Sequence, residues 1–194
     1  MTIRISADST CDLSPELIAE NQITITPLYI VCGENSLADG IAIQPEEVFA
    51  WTREHKRPCS TSAVNVEDYL RVFGALRREC DAIVHFTISS DMSSCYLNAC
   101  AAAKEIGNVY VIDSRSLSTG IGHLVLDACE MAREGMTAEE IFNTLEERKK
   151  LLDVSFVIDT LEYLRYGGRC SSLAAFGANL LHLKPSIQVT DGVM

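Results

Sequence analysis

The sequence has few basic residues, no metal-type cysteine pairs and no apolar run of membrane-spanning length. Its 194 residues include 16 Lys and Arg against 27 Asp and Glu, which gives a net charge of −11 at pH 7. Nucleic-acid binding depends on Lys and Arg that displace counterions, and anionic membrane surfaces attract the same residues. A membrane-spanning helix would need about 20 consecutive apolar residues. We therefore expect no nucleic-acid partner and no stable membrane insertion.

The cysteine spacing excludes further kinds of site. The eight cysteines form no C-x-x-C motif, and their one close pair is Cys95 with Cys100. Structural zinc sites and redox dithiols use closer pairs, so we expect no metal. The first ten residues lack the apolar segment of a secretion signal. We expect a cytoplasmic chain with reduced thiols.

A cofactor is not expected either. No glycine-rich phosphate cradle is present. Gly120 and Gly122 match part of a dinucleotide fingerprint, but Val125 stands where that motif requires glycine or alanine. The sequence therefore predicts a protein without a bound nucleotide.

Strand-like and helix-like segments alternate along the chain, which predicts an α/β fold with a parallel sheet. Apolar runs predict buried strands at residues 3–7, 82–87 and 109–113. The pattern restarts near residue 153. We predict an N-terminal α/β domain over residues 1–152 and the beginning of a second α/β domain over residues 153–194.

Three details of this organisation can be tested. Turn residues favour a hairpin that pairs residues 28–31 with residues 40–43. Residues 173–183 predict a helix that is apolar all round and must be covered. The chain ends just after the hairpin signal Asp191-Gly192, so we expect the second domain to be incomplete and the chain to be a fragment.

Clusters of hydroxyl residues follow the predicted strands. They occur after residues 3–7, 82–87 and 109–113, and a fourth cluster occupies residues 60–62. The carboxyl ends of parallel strands form ligand sites, and the N-termini of the following helices attract anions. The 88–94 cluster contains no Lys or Arg. The pattern therefore predicts a pocket for a small anion such as a carboxylate.

Several motifs, taken in order, resemble one family. They are D-S-T-C-D-L at residues 8–13, T-S at 61–62, I-S-S-D-M-S-S-C-Y at 88–96, D-S at 113–114 with S-T-G-I-G at 118–122, and L-E-Y-L-R-Y-G-G-R at 161–169. Together they resemble the DegV family of bacterial fatty-acid-binding proteins. The resemblance implies two α/β domains with a long-chain fatty acid in a tunnel between them. It also implies a carrier that presents the acid to a separate fatty acid kinase, which makes an acyl phosphate.

The resemblance assigns the carboxylate ligands. Thr61 and Ser93 are implied as direct ligands, with Ser62 and Ser94 beside them. Arg169 is the nearest candidate cation, with an ion pair between the domains as its alternative role. The chain departs from the family pattern in both loops. At Ser94 the family has glycine, and the side chain at Cys95 lacks the usual hydroxyl, while Ala63 and Val64 replace the usual residues after T-S.

Other interpretations of the same residues remain open. An enzyme, such as a hydrolase or acyltransferase, would use Ser93 or Cys95 as nucleophile with the helix dipole as oxyanion hole, but the four histidines supply no evident base. Hydroxyl clusters also serve as caps and turns, which is the alternative for Ser9, Ser114 and Ser118. Asp8 and Asp12 are interpreted as residues that hold the first turn together by accepting hydrogen bonds from backbone N–H groups, with a role as catalytic carboxylates as the alternative. His85, inside an apolar strand, is interpreted as a core histidine.

Overall fold

A four-stranded parallel sheet forms the centre of the structure, a computed structural model that describes residues 2–167 and 184–194. The strands are β1 (Ile3–Asp8), β2 (Thr24–Thr26), β3 (Tyr29–Cys32), β4 (Asn35–Ala38), β5 (Ser60–Ser62), β6 (Ala82–Thr87), β7 (Val109–Asp113), β8 (Val154–Val157) and β9 (Ser186–Val189). The helices are α1 (Pro15–Glu20), α2 (Pro45–His55), α3 (Val66–Leu76), α4 (Cys95–Ile106), α5 (Thr119–Arg133), α6 (Ala138–Arg148) and α7 (Glu162–Tyr166). Short 3-10 helices cover Ser9–Cys11 and Lys149–Leu151.

The central sheet has the strand order β2-β1-β6-β7, with every pair parallel. All six residues of β6 are buried, as expected for a strand with neighbours on both sides and helices on both faces. The α/β fold with a parallel sheet is confirmed. The predicted bounds of β6 and β7 agree with the structure residue for residue.

The two faces of the sheet carry separate cores. Val84 and Phe86 pack with α5 and α6 on one face, while Ile83 packs with Tyr69 and Phe73 of α3 and with α4 on the other. The two sets alternate along β6 because successive side chains of a strand point to opposite faces.

The predicted hairpin is wrong in its partner. Strand β3 pairs with β4 through a turn at Gly33 and Glu34, and not with residues 40–43. Gly33 has a φ of +68°, a left-handed conformation that suits glycine. The turn contains only Gly33 and Glu34, so Cys32 pairs directly with Asn35. Residues 40–43 form a second turn, in which the amide of Ala42 donates to Ala38 O at 2.8 Å.

Strand β5 was not predicted, and it pairs with the other edge of β3. This pairing brings Cys32 and Cys59 together as a disulfide, with their Cα atoms 4.7 Å apart. The expectation of reduced thiols is therefore wrong for this pair, because partners 27 residues apart in sequence meet through strand pairing. The free cysteines of the described chain are Cys11, Cys80, Cys95, Cys100 and Cys129.

A two-stranded antiparallel sheet, β8 with β9, follows the central fold. The predicted Asp191-Gly192 turn is confirmed, since both residues have positive φ and Thr190 and Val193 exchange hydrogen bonds of 2.9 and 3.0 Å. The division of the chain at residues 152 and 153 remains a prediction. The predicted helix at 173–183 and Arg169 lie outside the described residues. No helix within residues 2–167 or 184–194 has the length and apolar character needed to cross a bilayer.

Candidate functional site

The carboxyl ends of β1 and β6 meet at the middle of the parallel sheet. From β1 the chain continues to β2 on one side, and from β6 it continues to β7 on the other. Ligands of open α/β sheets bind at such a switch point, where neighbouring loops diverge. The two loops here are the 3-10 helix Ser9–Cys11 and residues 88–94.

Asp8 joins these two loops. Its carboxylate accepts the amide of Ile88 at 2.8 Å and the amide of Thr10 at 3.2 Å, and the Thr10 hydroxyl also donates to it. Burial raises the pKa of Asp8 to about 6, against the lowering effect of these hydrogen bonds. The contacts confirm that Asp8 holds the first turn together. Asp12 lies in the left-handed region, at the end of the same turn.

Thr61 and Ser62 reach the same region on β5. Their backbone pairs with Ile30 and Tyr29 of β3. The segment that follows is held against α4, because the side-chain amide of Asn98 donates to Val64 O at 2.7 Å. An edge strand therefore carries these hydroxyls, and its position depends on β3 and on the disulfide at Cys59.

Ser93 and Ser94 stand at the N-terminus of α4. The Ser93 hydroxyl accepts the amide of Cys95 at 3.3 Å and donates to its thiol at 3.2 Å. Ser94 is the N-cap residue, and its side chain makes no capping hydrogen bond. Both hydroxyls thus lie at the positive end of a twelve-residue helix.

The loops line an open cavity of about 350 Å³ that brings four of the predicted residues together. This volume lies within the range of about 300–1,000 Å³ typical of small-molecule sites. The hydroxyl residues of its lining are Thr10, Thr61, Ser62, Ser93 and Ser94. The apolar residues are Leu28, Ala63, Ile88, Met92, Leu117 and Met194. Its lining, as far as the chain is described, is hydroxyl and apolar without a charged side chain, which suits a ligand with a polar head and an apolar body.

The geometry gives little support to a nucleophile. Burial raises the pKa of the Cys95 thiol, which keeps it protonated. Within the described ranges, the hydrogen-bond partners of the Ser93 hydroxyl both belong to Cys95. His85 is buried with Nδ1 2.9 Å from the Ser6 hydroxyl, and burial lowers its pKa to about 3. His85 is therefore a core residue, as predicted.

In the other hydroxyl clusters, Ser9 and Ser114 make hydrogen bonds to the backbone of the protein itself. Ser9 accepts the amide of Leu28 at 3.1 Å, and Ser114 exchanges hydrogen bonds with the backbone of Ser116. Ser118 precedes α5 without a side-chain capping bond. The turn interpretation is thus confirmed for Ser114, whereas Ser9 makes a contact with a residue 19 positions further along the chain.

Sequence reasoning assigned no ligand role to several lining residues. Thr10 belongs to the first hydroxyl cluster, which could have identified it. Leu117 lies within the third cluster, between Ser116 and Ser118, and Met194 lies beyond the last predicted turn. Neither apolar residue carried a signal, because only the tertiary fold brings it to the cavity.

Comparison with known proteins supports the resemblance seen in the motifs. The family model described as "Uncharacterised protein, DegV family" matches residues 2–194, so that resemblance is confirmed. A DegV domain-containing protein of Deinococcus radiodurans is 32% identical over 193 residues, which are 99% of this chain and 69% of the relative. A relative from Caldanaerobacter subterraneus is 35% identical over 98% of this chain and 68% of its own length.

Solved structures agree in fold. A DegV family protein from Thermus thermophilus, described as fatty acid binding, is 34% identical and superposes with a TM-score of 0.89 over 100% of this chain and 69% of that chain. DegV from Bacillus subtilis, described as a fatty acid binding protein, has 29% identity and a TM-score of 0.86 over 100% and 70% of the two chains. A stearic acid-binding protein from Eubacterium ventriosum is 29% identical, with a TM-score of 0.87 over 98% of this chain and 68% of that chain.

Proposed function

The chain belongs to the DegV family, and we propose that it binds one long-chain fatty acid and carries it without a chemical step of its own. The observation that carries this proposal is the cavity at the switch point, with hydroxyls from three separate segments and an apolar remainder. The relatives described as fatty acid binding support the choice of ligand.

The proposed head-group site uses neutral donors. A carboxylate loses free energy on leaving water unless hydrogen bonds replace its hydration. Thr61 and Ser93 are the proposed direct ligands, with Ser62 and Ser94 beside them, and the N-terminus of α4 adds a favourable potential. Ser93 can turn its hydroxyl from the Cys95 thiol to a carboxylate, because an ionised oxygen is the stronger acceptor. Arg169 remains a proposed cation for the head group.

The acyl chain would supply most of the affinity. Burial of a methylene group stabilises a complex by about 0.8 kcal/mol, so a chain of about fifteen methylenes gives on the order of 12 kcal/mol before association costs of several kcal/mol. Leu28, Ile88 and Leu117 provide apolar surface for the part of the tail next to the head group. In the two-domain arrangement proposed above, the second domain covers the rest.

The proposed destination of the acid is a fatty acid kinase in the cytoplasm. Thr61, Ser62 and Ser94 are exposed, so a head group held by them stays within reach of a second protein. Phosphorylation of that carboxylate would give an acyl phosphate, and this step belongs to the partner.

An enzyme that uses Ser93 or Cys95 is the second candidate, as a hydrolase or acyltransferase. It requires a thiolate or an activated hydroxyl, whereas the Cys95 thiol is buried and the Ser93 hydroxyl donates to it. A covalent acyl adduct on either residue, detected by intact-mass measurement, would replace the carrier proposal with this one.

The binding proposal is tested by substitution of the two direct ligands. Thr61→Val and Ser93→Ala should each weaken fatty acid binding by roughly 0.5–3 kcal/mol, the range for a lost hydrogen bond to a charged group or an unsatisfied partner. Ser60→Ala is the matched control, since Ser60 lies on the same strand but outside the cavity lining. Titration with oleate or palmitate measures the effect. Equal affinity of all four proteins would contradict the assignment of Thr61 and Ser93.

Two further measurements separate cargo from partner. Full-length protein purified from bacteria should carry about one fatty acid per chain, measured by extraction and mass spectrometry. If none is found and added oleate leaves the melting temperature unchanged, the binding proposal is wrong. Loaded protein mixed with a bacterial fatty acid kinase and ATP should yield acyl phosphate, trapped by hydroxylamine. Absence of the hydroxamate from loaded protein would reject the kinase step alone.

A further inference from the structure

The tip of the β8–β9 hairpin is fastened to the carboxyl edge of the central sheet. The Ser89 hydroxyl donates to Gly192 O at 2.6 Å, in a buried contact between residues 103 positions apart. The Arg115 guanidinium donates to Asp191 O. The loops that follow β6 and β7 therefore donate hydrogen bonds to the two successive carbonyls of the Asp191-Gly192 turn.

Arg115 is itself held in place by its neighbours. Its backbone amide donates to the Asp113 carboxylate at 3.0 Å, and its Nη1 lies 2.7 Å from the Asp91 carboxylate. The same Asp113 oxygen accepts the amide of Ser90 at 3.1 Å. These bonds join the loop after β6 to the loop after β7, so the guanidinium is presented to the hairpin in a fixed position.

The turn approaches so closely that a side chain at Gly192 would collide with two side chains of the central fold. A Cβ added at Gly192 would lie 2.5 Å from Arg115 Cζ and 2.7 Å from Ser89 Oγ. Real side chains do not make contacts that short, so any larger residue must displace either the turn or the two side chains that hold it. Gly192 also has a φ of +84°.

The fastened turn leads directly into the proposed binding site. Met194, two residues beyond Gly192, lines the hydroxyl cavity with Met92. Met92 belongs to the loop that also supplies Ser89 and Ser93. The hydrogen bonds from Ser89 and Arg115 to the turn thus determine the position of Met194 in the cavity wall.

We propose that Ser89 and Arg115 are positioning residues for the fatty acid site, which they complete by fixing the hairpin tip so that Met194 closes one wall. This inference rests on the proposed function, since it assumes a fatty acid in the cavity. A bound acid leaves more slowly when that wall is held. The effect should therefore fall on the dissociation rate, where most changes of affinity between related complexes arise.

The test compares Gly192→Ala with Gly135→Ala in the full-length protein. Gly135 also has a positive φ, of +90°, but no atom lies within 4 Å of its added Cβ. The two substitutions therefore share the backbone strain, and the clash with Arg115 and Ser89 is specific to Gly192. Gly192→Ala should raise the dissociation rate of a fluorescent fatty acid about tenfold, while Gly135→Ala leaves it within about twofold.

Ser89→Ala provides a second, milder variant if Gly192→Ala does not fold. It removes the hydrogen bond to Gly192, and with it the longer one that Ser89 accepts from the Asp91 amide at 3.3 Å, without adding an atom. It should raise the dissociation rate by roughly three- to tenfold. Urea unfolding of each variant accounts for changes in stability. Dissociation rates equal to those of the unaltered protein would overturn the inference. A failure of the unaltered protein to bind fatty acid would instead overturn the proposed function, so the two failures are distinguishable.

Discussion

The buried carboxyl of Asp8 should make the stability of the protein depend on pH in an unusual direction. Asp8 connects the loops after β1 and β6, and burial raises its pKa from the ordinary value of 3.8 to about 6. Between these two values the folded state keeps the proton and the unfolded state releases it. Stability must therefore decrease as pH rises through this window.

The magnitude follows from the difference of about two pKa units. Each unit corresponds to 1.36 kcal/mol, so the contribution of Asp8 amounts to about 3 kcal/mol. It is fully present below about pH 4 and lost above about pH 6. Replacement by asparagine removes the titration while keeping the size and one acceptor oxygen for the Ile88 or Thr10 amide.

Urea unfolding between pH 4 and pH 8 measures the effect. The free energy of unfolding of the unaltered protein minus that of Asp8→Asn should fall by about 3 kcal/mol between pH 4 and pH 7 and then stay constant. Glu140→Gln provides a contrast of opposite sign, because hydrogen bonds from Thr137 lower the pKa of Glu140. The stability that Glu140 contributes is lost as pH falls. A difference for Asp8→Asn that does not vary with pH would refute the assignment of a raised pKa.

Two further predictions concern the cysteines. Reduction of the Cys32–Cys59 bond by a dithiol should lower the free energy of unfolding by about 3–4 kcal/mol, the chain-entropy value for a loop of this length. It should also weaken fatty acid binding, because Thr61 lies two residues beyond Cys59. A Cys32→Ser/Cys59→Ser protein should not respond to the dithiol and is the control, and a count of eight free thiols in the untreated protein would contradict the bond. Cys95→Ser should retain fatty acid binding within about tenfold, since the new hydroxyl can still accept the hydrogen bond from Ser93. If the unaltered protein carried an acyl adduct that Cys95→Ser lacked, Cys95 would be a nucleophile.

The sequence predicts the parts of the fold that local patterns determine. Strand β6 is a continuous apolar run, because it is covered on both faces, and its bounds are readable without a partner. Helix α6 is capped by Thr137, whose hydroxyl accepts the Glu140 amide while the Glu140 carboxylate accepts the Thr137 amide. Both signals lie within a few residues of the element they define.

Strand β5 shows where local patterns fail. Residues 60–62 are exposed hydroxyl residues next to Pro58, with no alternation of apolar and polar side chains. Their extended conformation comes from pairing with β3, about 30 residues earlier in the chain. The partner of β3 was mistaken for a related reason, since Gly33 and Gly40 are both turn signals and only the pairing selects between them.

The candidate site contains some residues that local sequence patterns identify and others that only the tertiary fold brings together. Ser93 and Ser94 follow β6, whose end is predictable, whereas Thr61 and Ser62 lie on the unpredicted β5 and were assigned from the hydroxyl cluster and the family resemblance. The apolar wall comes from residues such as Leu117 and Met194, whose approach requires the finished fold. A polar head is specified by a few donors in fixed positions, whereas an apolar tail requires only area removed from water. Selectivity for the head should thus be encoded in short motifs, and selectivity for tail length in the packing of segments far apart in sequence.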